Sequence, residues 1–88
     1  MPLQGRASAW GFGPMKSVTV YNADTRKWTN CTESERGRFK YFIGTLFPGG
    51  KREVPYRAFT YDPKARYCDA NLVCVDCAEG SADFAVPP

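Results

Sequence analysis

Histidine is absent from the 88 residues. Its absence removes the usual general base near neutral pH, the Ser-His and Cys-His nucleophile pairs, and every mixed Cys/His zinc pattern. No pair of acids stands out to replace it, so no catalytic residue is assigned and a non-enzymatic protein is expected. A long apolar run is also lacking, and nothing approaches the length of a membrane span. The opening MPLQGRASAWGFGPM has no apolar stretch of the kind a secretory leader needs, although a mature secreted form would look the same. A phosphate-binding loop is missing too, because Gly49-Gly50 is followed by a strand-like run and not by a helix.

What is present suits one small folded domain. A chain of this size buries roughly 60% of the surface that its unfolded form exposes, which leaves a thin core. Hydrophobic residues make up 43% and aromatic residues 15%, too many for a disordered chain. The net charge of +3 hides an asymmetry: eight bases against two acids from Arg36 to Tyr67, then four acids and no base from Cys68 onward. Such a division implies internal charge pairing, a polar contact surface or simply a solvated charged exterior.

The pattern along the chain is that of strands. Residues 1–15 carry Pro2, Gly5, Gly11, Gly13 and Pro14, too much punctuation for a helix or an interior strand, and read as an extended arm. Trp10 and Phe12 would anchor that arm on the domain or on a neighbouring molecule. Residues 16–86 form the β domain, and 87–88 a short tail. In Ser17–Tyr21, SVTVY, Val18 and Val20 share one face, and Asn22-Ala23-Asp24 is turn chemistry. Lys27-Trp28-Thr29 suggests a return strand ending near Cys31. Thr32-Glu33-Ser34-Glu35 has capping-box spacing, with room for one helical turn at most.

The clearest element is a hairpin of RFKYFIGTLF and REVPYRAFTY around Pro48-Gly49-Gly50-Lys51, with Gly49-Gly50 as the central pair. That register puts Phe39, Tyr41, Ile43, Val54, Tyr56 and Ala58 on one face. Arg38, Lys40, Phe42, Arg57, Phe59 and Tyr61 fall on the other. Pro55 implies that the second strand lies at a sheet edge. Asp62-Pro63-Lys64-Ala65 has type I turn chemistry. Asn71–Val75 and Phe84–Val86 are further short strands. About five short strands with little helix make this an all-β domain, a small barrel or sandwich with an extended N-terminal arm.

Two constellations carry functional expectations. The cysteines are spaced C-x36-C-x5-C-x2-C. Cys31, Cys68, Cys74 and Cys77 form the candidate four-thiolate metal site, with Zn2+ as the cofactor it implies, because Cys74 and Cys77 supply a C-x2-C pair. Two disulfides are the rival, since an even cysteine count in a short chain with a thin core is what extracellular domains show. Buried thiols packing as small hydrophobes are the third reading. The Asn30-Cys31-Thr32 sequon fits the disulfide reading.

The second constellation is the basic and aromatic hairpin face of Arg38, Lys40, Phe42, Arg57, Phe59 and Tyr61. Bases stack on exposed rings while Lys and Arg neutralise phosphates, so this face is also what a single-stranded nucleic-acid platform needs. A second core layer is the bland alternative. The leading expectation is a small accessory or assembly subunit, intracellular or particle-associated, docking on a larger complex or particle through its arm and this basic and aromatic face, with a protein partner or its own copies as the contact. A small secreted disulfide-stabilised effector or toxin is the alternative, and a zinc-stabilised single-strand binder the third.

Overall fold

The computed structural model describes residues 3–8 and 17–85, with side chains described from Ser17 to Ala85. Among the described residues eight strands form two antiparallel sheets, so the all-β expectation holds. The smaller sheet has the order β1 (Leu3–Ser8), β2 (Ser17–Asn22), β5 (Lys51–Pro55). The larger has the order β6 (Thr60–Tyr61), β4 (Phe39–Leu46), β3 (Trp28–Gly37), β7 (Cys68–Cys77), β8 (Gly80–Ala85). At the two seams β1 runs beside β8 and β5 beside β4, which gives a flattened barrel. There are more strands than the five expected, because a change of sheet splits the second hairpin strand into β5 and β6 and Leu3–Ser8 adds β1.

Each sheet turns one face inward, following the two-residue period of a strand. Val18 and Val20 face the core from β2, opposite Val54 and Arg52 of β5. Ile43 and Leu46 of β4, Trp28 and Cys31 of β3, Val73 and Val75 of β7, and Ala82 of β8 complete the buried centre, with Phe59. Phe39, Tyr41, Tyr56, Ala58 and Phe84 pack around it. Phe39, Tyr41, Ile43, Val54, Tyr56 and Ala58, the residues expected on one hairpin face, therefore all line the core. Pro55 lies on β5, an edge strand of its sheet, where the missing N–H breaks no ladder bond. Asp62–Ala65 makes its turn, with the Ala65 N–H donating to the Asp62 carbonyl at 2.9 Å.

The hairpin itself is corrected. Phe39–Leu46 and Lys51–Pro55 belong to different sheets and share no ladder. The cause is the turn between them. Pro48-Gly49 is its central pair, not Gly49-Gly50, and Gly50 N–H closes it on the Phe47 carbonyl at 2.8 Å. Gly49 has φ +76°, the positive angle that follows a proline in a type II turn. The turn is held to β2, with Gly49 N–H donating to the Asn22 carbonyl and Asn22 N–H to the Gly50 carbonyl, both 2.9 Å. A 3-10 turn, Tyr56–Ala58, then carries the chain back to the larger sheet, where Tyr61 pairs with Phe39 and Thr60 with Lys40.

Thr32–Glu35 is also corrected, from a helical turn to the middle of β3. There the strand has ladder partners on both sides, Tyr41 for Glu33 on one and Val75 on the other. Two completed ladders outweigh a local capping preference. Leu3–Ser8, within the stretch read as an arm, pairs with β2 from Leu3 opposite Asn22 to Ser8 opposite Ser17. Trp10 and Phe12, the expected anchors, lie outside the described residues.

Candidate functional site: the outer face of the larger sheet

The face of the larger sheet turned away from the core is built from two side-chain rows. Lys40, Ser34, Cys74 and Asp83 are successive cross-strand neighbours, as are Phe42, Thr32, Asp76 and Ser81. The loop from Asp62 to Tyr67 lies over this face. Lys40 Nζ meets Asp62 at 2.8 Å, and Arg66 spans Asp76 at 3.1 Å and Asp83 at 3.3 Å. Arg38 donates from Nη1 to the Ala65 carbonyl and holds its guanidinium 5.6 Å from the Tyr67 ring centroid.

These contacts decide the electrostatics. The hydrogen bond from Lys40 is the largest influence on Asp62 and holds its carboxyl below the ordinary aspartate value, with the Lys64 N–H adding to it. The Asp83 hydrogen bond, with Asp76 beside it, raises the Arg66 guanidinium further above its usual value. Two of the acids after Cys68, Asp76 and Asp83, thus meet one base of the Arg36–Tyr67 segment, Arg66, while Lys40 pairs with Asp62 of its own segment. Half-exposed pairs of this kind are screened by solvent and contribute little stability. Their effect is to leave Lys40 and Arg66 neutralised, which is not what a phosphate-binding strip requires.

Of the six residues expected on one basic and aromatic face, the structure groups Arg38, Lys40 and Phe42. Arg57 is exposed on the 3-10 turn, outside both sheets. Phe59 is 5% exposed and belongs to the core, packed against Tyr41 and Tyr56. Tyr61 stands directly across from Phe39 on the edge strand, with ring centroids 5.6 Å apart, and not in the Lys40 and Phe42 rows, yet it stays exposed. The split follows from the change of sheet after Leu46, since one continuous hairpin is what would have aligned the two strands. Tyr67 and Arg66 belong to the site and were not foreseen. The Asp62-Pro63 turn was their signal, because a chain reversing there must lie back over its own sheet.

Under the loop sits the first of two disulfides. Cys68 and Cys74 are each 1% exposed and joined on the outer face, closing a segment in which residues 69–72 bulge out of the β3–β7 ladder. Cys31 and Cys77 are joined across β3 and β7, Cα atoms 4.0 Å apart, with Cys31 in the core. All four cysteines placed in the metal-site reading are therefore bridged, and a bridged sulfur is not the thiolate that zinc takes. Among the described residues no group of three or more Cys, Asp or Glu side chains is placed to hold a metal ion. No helix among them is long and apolar enough to cross a membrane.

The most unusual side chain faces inward. Glu33 is fully buried and neither carboxylate oxygen has a hydrogen-bond partner. Burial raises its pKa to about 8, with Glu35 adding to the shift and Arg52 opposing it. Glu35, 3% exposed, is also raised by burial, against the pull of the Arg36 guanidinium 2.6 Å away. Glu33 is sealed in the core away from solvent, and so lacks the access that a catalytic acid needs. Comparison of the chain with protein-family models, with curated proteins and with solved structures finds no match.

Proposed function

We propose that this chain is a non-enzymatic binding module that acts in an oxidising compartment as a small disulfide-stabilised effector, recognising a protein partner. The observation that carries this reading is the pairing of all four cysteines into two bridges, three of whose sulfur-bearing residues are almost wholly buried. Two bridges in so small a domain supplement a thin core, and such bridges persist outside reducing compartments. Phe42, Tyr61 and Tyr67, each 60–62% exposed, are apolar contacts available to a partner around the Asp62–Tyr67 loop. Aromatic residues are the side chains that carry binding energy at protein interfaces. The absence of histidine and the engagement of Asp62, Asp76 and Asp83 in ion pairs support a binding role over a catalytic one.

The test is the intact mass of unreduced protein, denatured in the presence of a thiol-blocking reagent. Two hydrogens missing per bridge and no blocked thiol are expected, with no change on adding a chelator. Four blocked thiols and a native adduct of zinc mass would overturn the reading. They would return weight to an intracellular assembly subunit or a zinc-stabilised single-strand binder.

A further inference from the structure

We infer that Asn30 is an N-glycosylation site, the one place in the described domain prepared to carry an oligosaccharide. The inference rests on the oxidising-compartment reading above, and three observations carry it. Asn30-Cys31-Thr32 is a complete acceptor sequon. Asn30 is exposed, although the residue after it is fully buried. The β3–β4 register slips between Trp28 and Cys31, so Asn30 has no cross-strand partner and sits at φ 53°.

That geometry resolves the conflict inside the sequon. In a regular strand a residue beside a buried cysteine faces outward only as part of a crowded ladder row. The bulge instead lifts Asn30 out of the ladder at the rim of the barrel, where its amide makes no side-chain hydrogen bond among the described residues. Its neighbours there are Thr29, which takes the Glu79 carboxylate on its N–H and hydroxyl at 2.7 Å, and the Ala78 N–H bonded to the Thr29 carbonyl. The β7–β8 turn is thus tied to Thr29 and not to Asn30. A glycan on the Asn30 amide would extend from the rim without displacing either contact.

A left-handed backbone angle explains an asparagine at position 30, because Asn tolerates that region better than most residues. It does not explain exposure of the amide or Thr32 two residues on. In the step itself the Asn30 amide nitrogen bonds to the anomeric carbon of a polyprenyl-diphosphate-linked oligosaccharide. The bond from that carbon to the diphosphate oxygen breaks, the polyprenyl diphosphate leaves, and the amide gives up one proton. No electrons are exchanged.

The experiment expresses the full chain behind a cleavable leader in a eukaryotic secretory host. It reads the product twice, by mass before and after an amide-cleaving endoglycosidase, and by thiol blocking under denaturing conditions. A glycan mass lost on digestion, with Asn-to-Asp conversion at position 30, is expected. Thr32→Ala, which leaves Asn30 in place, should abolish that mass, and Thr32→Ser should keep it. A secreted, fully bridged chain with an unmodified Asn30 would overturn the glycan inference and leave the compartment reading standing. A glycan on a chain whose four thiols are all blockable would do the reverse. Blockable thiols with no glycan would sink both, and a glycan that survives Thr32→Ala would remove Asn30 as the site.

Discussion

Glu33 lies directly across the β3–β7 ladder from Val75, and both side chains are wholly shielded from water. A carboxyl shares the position of an aliphatic residue, with no hydrogen bond on either oxygen. It is accommodated in its neutral form, because burial raises its pKa from an ordinary 4.5 to about 8.

Stability is therefore expected to fall as pH rises through that window. Below pH 4.5 the group is protonated in both folded and unfolded chains and has no effect on the slope. Between 4.5 and about 8 only the folded chain holds the proton, so each pH unit costs about 1.4 kcal/mol. Above about 8 both forms are ionised and the loss is complete. Glu33→Gln should flatten this part of the curve and raise the denaturation midpoint at pH 9. Urea titrations of both proteins from pH 4 to 9 check this, and parallel curves would remove Glu33 as the cause.

The two disulfides should differ in weight. Cys31–Cys77 spans a sequence separation of 46 and Cys68–Cys74 one of 6. Loop-closure entropy gives about 4 kcal/mol for the first and about 2 kcal/mol for the second. Paired Cys-to-Ser variants, Cys31→Ser with Cys77→Ser and Cys68→Ser with Cys74→Ser, should lower the unfolding midpoint in that order. An equal loss from both would mean that the short bridge acts mainly by holding the Asp62–Tyr67 loop on the sheet.

Asn22 is buried at the junction of the two sheets and uses its whole amide. Nδ2 donates to the Leu46 carbonyl at 2.8 Å and the Arg26 carbonyl at 3.0 Å, while Oδ1 accepts from Asp24 N–H at 2.8 Å. Asn22→Ala should cost about 2–3 kcal/mol, since it leaves a buried carbonyl unpaired. Asn22→Asp should cost more, because it sets an acceptor against the Leu46 carbonyl. Equilibrium unfolding at pH 7 measures both, and a loss under 1 kcal/mol for either, below what an unpaired buried group costs, would mean that water replaces the side chain.

Gly49→Ala should cost about 1–2 kcal/mol, the penalty of a left-handed angle in a residue with a Cβ. Space is not the difficulty, as a Cβ there would meet nothing within 4 Å. Gly49→Asn should recover part of the loss, and thermal melts of the two variants separate conformational strain from steric clash.

How much of this was legible depended on whether a residue's signal was local. Val18, Val20, Ile43 and Val54 declared their inward positions by period-two spacing alone. Pro55 declared an edge because a missing N–H has only one kind of place in a sheet. The change of sheet after Leu46 was hidden, since Pro48-Gly49-Gly50 supports two turns and the choice depends on Asn22, 26 to 28 residues away. Phe59 was misplaced as a direct result. Glu33 was illegible for a different reason: Thr32–Glu35 has the local spacing of a capping box, and only the ladders that β4 and β7 complete on both sides make it a strand and turn Glu33 inward. The cysteine pairing was open because three connectivities share one spacing.

The smaller sheet takes β1 and β2 from the beginning of the chain and β5 from its middle, while the larger is closed only by β8 at Gly80–Ala85. On a ribosome, neither sheet can be finished early. The first must wait until residue 55 has emerged, and by then β3 and β4 are out but lack their β7 neighbour. The smaller layer has its full set of strands once Pro55 is out, whereas the larger waits for Gly80–Ala85. Cys31 remains without its partner through most of that interval. The Cys31–Cys77 bridge, whose partners lie 46 residues apart, can therefore close only after both layers have begun to assemble, as a late seal across strands already laid down.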